Sequence, residues 1–364
     1  MQAIRDPAAI RRKCTRFLAH HYPLSPKQHL QQVADAIPDD MEADTYGSGA
    51  VITAFEAEVA QLLGKEAAVF MPSGTMCQQI ALRVWSERRG FSNIAMHPQN
   101  HLDKPEKHGY LRLHGLTPLL IGNLETQLSV ADVEAISEPV AALFLELPQR
   151  EIGGTLPTWG DLTAMTTWAR DRGIPVHMDG ARLWECGPYY AREYREIAAL
   201  FDTVYVSFYK ALGGIAGAAL AGPADVIAAA RVWQRRHGGN LIRLYPYVVA
   251  ARLGLQQHLP RMGEYVERAK QIGAILAGIP GIEIAPEPPQ TNMMHVFLQG
   301  DISRLQDAAL DISEREYVAF WRQLQPTVRP RWQRFELSIG NAALDIGDNE
   351  IDRWFREIIE HGQA

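Results

Sequence analysis

Two side chains 31 positions apart, Asp179 and Lys210, each end an apolar run, IPVHMD and TVYVSFYK, and Arg182 follows the aspartate by three residues. The lysine is conspicuous by its setting. The chain holds seven lysines against 29 arginines, and between Thr203 and Pro223 Lys210 is the single charged residue. Burial disfavours an ammonium group, so a lysine in such a stretch becomes a usable amine nucleophile near neutral pH. Taken singly, an Asp after a strand is ordinarily a cap or turn residue, and a lone Lys a snorkelling stem. Taken together they meet a more specific need. In an open α/β sheet the carboxyl ends of the strands face one ligand crevice, which would bring amine and carboxylate to one site. A cofactor with a carbonyl and a protonated ring nitrogen requires that pair, and pyridoxal phosphate (PLP) is such a cofactor.

Two further motifs fit the same cofactor. Ser73-Gly74-Thr75 follows an expected strand at 66–71 and Pro72, and opens a helix. Small residues there let backbone N–H groups approach a phosphate at the positive end of the helix dipole. Downstream, His97, His101, His108 and His114 fall within 18 positions, but their spacings of 4, 7 and 6 fit no compact zinc pattern, so no metal is expected. The glycines of GGIAGAALAG lack the G-x-G-x-x-G spacing at a strand-to-helix turn, which sets a nicotinamide dinucleotide aside.

The elements that must position these residues are legible from periodicity. Helices are expected at 27–36, 53–63, 129–137, 161–172, 224–236 and 243–258. Thr53 and Glu56 have capping-box spacing for the second of them, and Gly64 ends it. Short apolar strands are expected at 93–96, 119–122, 140–147 and 174–178, and the alternation with crossover-length connections argues for a mainly parallel sheet covered on both faces. After Arg261 the texture becomes α+β, with strands at 282–285, 293–298 and 334–339. The expected organisation is an N-terminal arm over 1–43, a cofactor-binding domain over 44–260 and a smaller C-terminal domain over 261–364.

Composition narrows the class. With 364 residues, 47% of them hydrophobic, the chain can bury a large core. A net charge of −6 with interspersed signs offers no nucleic-acid surface. Three cysteines without paired spacing suit a reducing compartment, and neither an apolar signal region nor a membrane-length run is visible, so a cytoplasmic location is expected.

HMDGAR, followed by a strand, a Lys and a Gly-rich strand, resembles the threonine aldolase and β-eliminating lyase family of fold-type I PLP enzymes. The resemblance extends to DTYGSGA (Asp44 to Ala50), PSGTMCQQ, RLYPYVVAA and TNMMHV, and so to most of the chain. It implies a large domain with a mainly parallel seven-stranded sheet, a smaller α+β domain, and a homodimer or homotetramer whose sites are completed across an interface. It implies roles as well: Lys210 as the PLP-bearing lysine, Asp179 at the ring nitrogen, His101 stacked on the ring, and Ser73, Gly74 and Thr75 on the phosphate. Arg182 would contribute to the cofactor site and hold the substrate carboxylate. Arg243 would reach a phosphate and Tyr46 a substrate, either one across an interface, and Thr15 or Arg16 would take the place of an early hydroxyl segment. The implied reaction cleaves the Cα–Cβ bond of a β-hydroxy amino acid to glycine and an aldehyde, with β-elimination or a non-catalytic PLP-fold protein as alternatives. Three departures bear on that reaction. Gln149 stands where the family carries a His, and Gln cannot act as a base. Glu336 stands where it carries an Arg for the carboxylate, leaving Arg334 to substitute. Tyr209 precedes the lysine where a small hydroxyl residue is usual, leaving Ser207 for a phosphate contact.

Overall fold

The computed structural model describes residues 5–103 and 105–363, and the chain divides into two compact units. One runs from Leu24 to Arg261; the other joins the described residues up to Pro23 to those from Met262 onward. Residues 1–43, expected as one arm, are thus divided between the units.

The larger unit is built on a seven-stranded sheet: β1 (Ala67–Met71), β2 (Asn93–Met96), β3 (Thr117–Leu120), β4 (Ala142–Glu146), β5 (Val176–Gly180), β6 (Thr203–Ser207) and β7 (Ala218–Gly222). Their spatial order is β1-β7-β6-β5-β4-β2-β3, parallel throughout except for β7, which runs antiparallel to both neighbours. The mainly parallel, seven-stranded expectation is met. β4 to β7 are buried along their whole length, which is why they read as uninterrupted apolar runs rather than as alternation.

Around the sheet lie α1 (Pro26–Asp35), α2 (Ala50–Leu63), α3 (Gly74–Arg89), α4 (Trp159–Asp171), α5 (Ala224–Arg236) and α6 (Tyr245–His258). Helix α3 covers one sheet face with α5. Cys77, Ile80, Ala81 and Val84 of α3 and Val226, Ile227 and Ala230 of α5 pack with Val69, Tyr205 and Leu220 of the strands.

The Thr53/Glu56 capping expectation is corrected. Helix α2 begins three residues earlier, after Gly49, and Gly64 closes it in the left-handed conformation as expected. Thr53 donates to the Gly49 carbonyl within the first turn. Glu56 is buried, accepts the Phe70 amide of β1 at 2.8 Å and pairs with Arg231 at 2.6 Å. A side chain at the seventh helix position that reaches a strand amide serves the tertiary structure, not the helix end.

The smaller unit holds α7 (Met262–Ala277), α8 (Ile302–Glu316) and α9 (Asp348–Gln363) with an antiparallel sheet of β8 (Ile282–Ala285), β9 (Met293–Gln299), β10 (Gln325–Pro326) and β11 (Trp332–Ser338), in the order β10-β11-β9-β8. Its N-terminal piece is stitched in by parallel pairing of Arg16 and Phe17 with Val318 and Ala319. Arg16, considered above for the place of the early hydroxyl segment, bonds Glu350 at 2.6 Å and lies over the Trp354 ring. Among the described residues no helix is long and apolar enough to cross a membrane.

Candidate active site

Strand register sets the geometry. Glu146 of β4 is the Cα partner of Asp179 of β5, which is in turn the partner of Tyr205 of β6. Partners in adjacent strands project to the same face, so the three side chains stand in one row at the carboxyl ends of the strands. All three are buried. Asp179 lies inside its strand, which ends two residues later than expected, and its Oδ1 accepts the Ala181 amide at 3.0 Å.

Beyond β6 the chain turns sharply: the Gly213 amide reaches the Lys210 carbonyl at 3.0 Å and the Gly214 amide the Phe208 carbonyl at 2.7 Å. A Cβ on Gly214 would lie 2.7 Å from that same carbonyl oxygen, so only glycine closes the turn. This turn presents Lys210. Burial, then the neighbouring Arg182 charge, lower its ammonium pKa to about 8, against the opposing pull of Asp179, Glu146 and Glu185. Those influences place the lysine in electrostatic reach of both charged members of the DGAR motif, Asp179 and Arg182. Arg182 is largely buried, 3.9 Å from the Glu185 carboxylate.

The row carries a residue that the motifs missed. Glu146 accepts the His101 amide at 2.8 Å, the Arg150 amide at 3.2 Å and the Gln149 side-chain amide at 3.2 Å. One carboxylate therefore ties the His101 loop and the 149–150 turn to the strand ends. Burial and the adjacent Asp179 push its pKa up to about 7, against the pull of those backbone donors. A signal was present in the sequence: Glu146 ends an apolar run, VAALFLE, as Asp179 ends its own.

His101 sits in the loop after β2, partly exposed, with Nδ1 3.5 Å from the Glu106 carboxylate. Glu106, also missed, is held by the amide groups of Gln78 and Gln79 on α3. The other histidines of the segment have structural settings. His97 bridges the Thr126 carbonyl and the Gln99 amide, His108 bonds Asp103, and buried His114 stacks on His237. Gln149 is buried and donates to the Gln99 carbonyl as well as to Glu146.

At the other end of the row, a Cβ placed on Gly74 would come within 1.9 Å of the Tyr205 hydroxyl, so the opening of α3 lies directly against it. Ser73 precedes the helix in extended backbone, and among the described residues its side chain makes no capping bond. The first N–H groups of α3 are thereby left for a ligand. An amine, a carboxylate one strand away and an uncapped helix start that tolerates no side chain at Gly74 match the aldehyde, ring nitrogen and phosphate of PLP. The residues fit the cofactor.

The other expected contributors have the following partners. Ser207 donates to the Ala181 carbonyl at 2.8 Å, so its proton is committed within the sheet end. Arg243 donates to the Asp44 carbonyl and Thr45 hydroxyl at 2.7 and 3.0 Å, and Asp44 in turn accepts the Leu244 and Tyr245 amides that open α6. This network shapes the turn that carries Tyr46, which is exposed at a positive φ of 51°. Arg334 belongs to the smaller unit, on β11, where it reaches Gln325; Glu336 is the register partner of His295 on β9.

Comparison with known proteins agrees with this geometry. The β-eliminating lyase family model matches residues 29–300. A low-specificity L-threonine aldolase of Arabidopsis thaliana is 27% identical over 278 residues, covering 73% of this chain and 76% of that protein. The low specificity L-threonine aldolase of Escherichia coli K12 is 28% identical over 61% of this chain and 67% of its own. Among solved structures, a putative L-allo-threonine aldolase from Listeria monocytogenes EGD-E is 40% identical with a TM-score of 0.93, covering 97% of this chain and 98% of that one. A putative aromatic amino acid β-eliminating lyase/threonine aldolase from Exiguobacterium sp. 255-15 is 38% identical with a TM-score of 0.92, over 97% and 99% of the two chains. With its lysine, aspartate and helix opening gathered at the carboxyl ends of the strands, the chain belongs to the threonine aldolase/β-eliminating lyase family of fold-type I enzymes.

Proposed function

We propose that this protein is a PLP-dependent aldehyde-lyase that cleaves a β-hydroxy amino acid to glycine and an aldehyde. The observation that carries the reading is Lys210, an amine with its pKa lowered to about 8 within reach of Asp179 and Arg182 at the strand ends. When bound, PLP supplies an electron sink for the pair released as a bond to Cα breaks. Lys210 would hold the cofactor, Asp179 would keep its ring nitrogen protonated, and the α3 opening would receive its phosphate. Arg182 offers the substrate carboxylate a planar fork, and orienting that carboxylate decides which Cα bond is broken.

Aldol cleavage needs a base for the β-hydroxyl proton. Gln149 has no proton-accepting nitrogen, and its amide is engaged by Gln99 and Glu146. His101 is the base in this reading: with Nδ1 turned to Glu106, Nε2 is the atom left to take the proton. His101→Asn should slow release of glycine from threonine, allo-threonine or a bulkier analogue by about 10²–10⁴-fold, the usual worth of a general base, while cofactor affinity changes far less. An equal loss in both would reduce His101 to a packing role. If the wild-type protein binds PLP yet releases no glycine from any of the panel, the aldolase reading fails. The engaged Gln149 favours β-elimination as the second reading, detected as ammonia and keto-acid release.

Assembly belongs to the same proposal. Tyr46 is held outward by the Asp44–Arg243 network, the arrangement suited to completing a neighbour's site in a homodimer or homotetramer working in the cytoplasm. Sedimentation of the active enzyme should give a dimer or larger. A fully active monomer would refute it.

A further inference from the structure

His101 is approached at two points by two different carboxylates. Glu146 of β4 accepts its backbone amide at 2.8 Å, and its ring Nδ1 lies 3.5 Å from the carboxylate of Glu106. The second contact has a mounting of its own. The Glu106 side chain is 2% exposed, and each of its oxygens accepts a buried side-chain amide of α3, Oε1 from Gln78 at 3.1 Å and Oε2 from Gln79 at 3.3 Å. A buried carboxylate is costly without donors, so two successive glutamines on one helix are what allow the charge to sit there. The backbone closes around it: the Gly109 amide donates to the Glu106 carbonyl at 3.1 Å, and a side chain on Gly109 would run into the Gln79 amide. Asp103, the other acid of this loop, is taken by the Tyr110 hydroxyl at 2.6 Å and by His108 at 2.9 Å. An ionised carboxylate only accepts, so the ring nitrogen facing Glu106 carries the hydrogen and Nε2 keeps its lone pair. Contacts that serve a general base are often long outside the substrate complex, and 3.5 Å is of that order.

We propose that Glu106 is a positioning residue that fixes the Nδ1–H tautomer of His101, leaving Nε2 to accept the β-hydroxyl proton of the substrate. Its charge also offsets the cation that the ring becomes when that proton arrives, the part a buried carboxylate plays behind the histidine of a Ser-His-Asp triad. The inference rests on the aldolase reading with His101 as base and adds how the ring is kept in its working form. Glu106→Gln preserves size but has one oxygen for the three donors that the carboxylate faces. Nitrogen-15 spectra of histidine-labelled, full-length holoenzyme, at a pH where the ring is neutral, should place the His101 hydrogen on Nδ1, the signal being identified by its loss in His101→Asn. In Glu106→Gln both tautomers should appear. Glycine release should fall about 10- to 100-fold in kcat, the worth of a hydrogen bond to a charged group, with KM and PLP affinity nearly unchanged. Glu106→Asp withdraws the charge by one methylene, so it should move both readouts in the same direction and less, and it carries the test if the glutamine variant does not fold. Hydrogen on Nε2 in the wild type, an unchanged tautomer in Glu106→Gln, or equal losses of turnover and PLP affinity overturns the proposal. Wild-type protein that binds PLP but releases no glycine brings down the aldolase reading instead, and the ring spectrum, which requires no turnover, still decides whether Glu106 sets the tautomer.

Discussion

Lys210→Ala should bind PLP without the visible absorption of a lysine-bound carbonyl, and borohydride should then fix no pyridoxyl group on the chain. Turnover should fall by more than about 10³-fold, the scale on which enzymes lose rate when their nucleophile is removed. The reason lies in the turn at Gly213 and Gly214, which presents one amine at the strand ends where Asp179, Glu146 and Arg182 all act on it. Lysines 13, 27, 65, 107 and 270 share no such setting; Lys65, for instance, donates to the Phe201 carbonyl at 2.5 Å. The wild-type amine should also show its environment. Because burial and Arg182 lower its pKa to about 8, the neutral amine that attacks a carbonyl gains population as pH rises through 8. PLP uptake by stripped enzyme should therefore accelerate from pH 7 to pH 9 and level off above. A peptide map that finds the pyridoxyl group on another lysine would make the assignment of Lys210 wrong.

Asp179→Asn should keep the fold and the bound cofactor yet lose about 10²–10³-fold in turnover, the range found when a preorganised electrostatic group is removed. The fold survives because an asparagine oxygen can still accept the Ala181 amide that Asp179 accepts at 3.0 Å. What disappears is the charge proposed to hold the ring nitrogen protonated, and with it the proposed electron withdrawal from Cα. The row geometry adds a second readout. Asp179 is one of the two influences that raise the Glu146 pKa to about 7, after burial. Removing its charge lowers that pKa, so a Glu146-dependent limb of the pH–rate profile should shift to lower pH in the variant. Unchanged turnover in Asp179→Asn with PLP bound would end the role assigned to this carboxylate.

The chemistry was legible in the sequence because of where strands are buried. A strand covered on both faces admits almost no charge, so Asp179 and Lys210 stand out at the ends of IPVHMD and TVYVSFYK, and the sheet that follows from such runs must bring their ends together. Pro72 and the small residues after it likewise marked a helix opening without knowledge of what faced it. Local signals also placed Gly64 as the C-cap of α2, since a left-handed residue is a property of the backbone at one position.

Where partners lie far apart in the chain, the sequence was silent. Glu146, Asp179 and Tyr205 form a row only because β4, β5 and β6 pair in one register, and a slip of one residue would turn a member to the opposite face. Glu56 had the spacing of a capping residue and instead meets the amide of Phe70, because its position on α2 faces β1. Ser207 had the right type near the lysine, but its hydroxyl was claimed by Ala181, 26 residues away. Residue type and burial pattern determined which groups could react. Which of them meet was decided by strand register and by competition among hydrogen-bond partners, and both are settled only when distant segments pack.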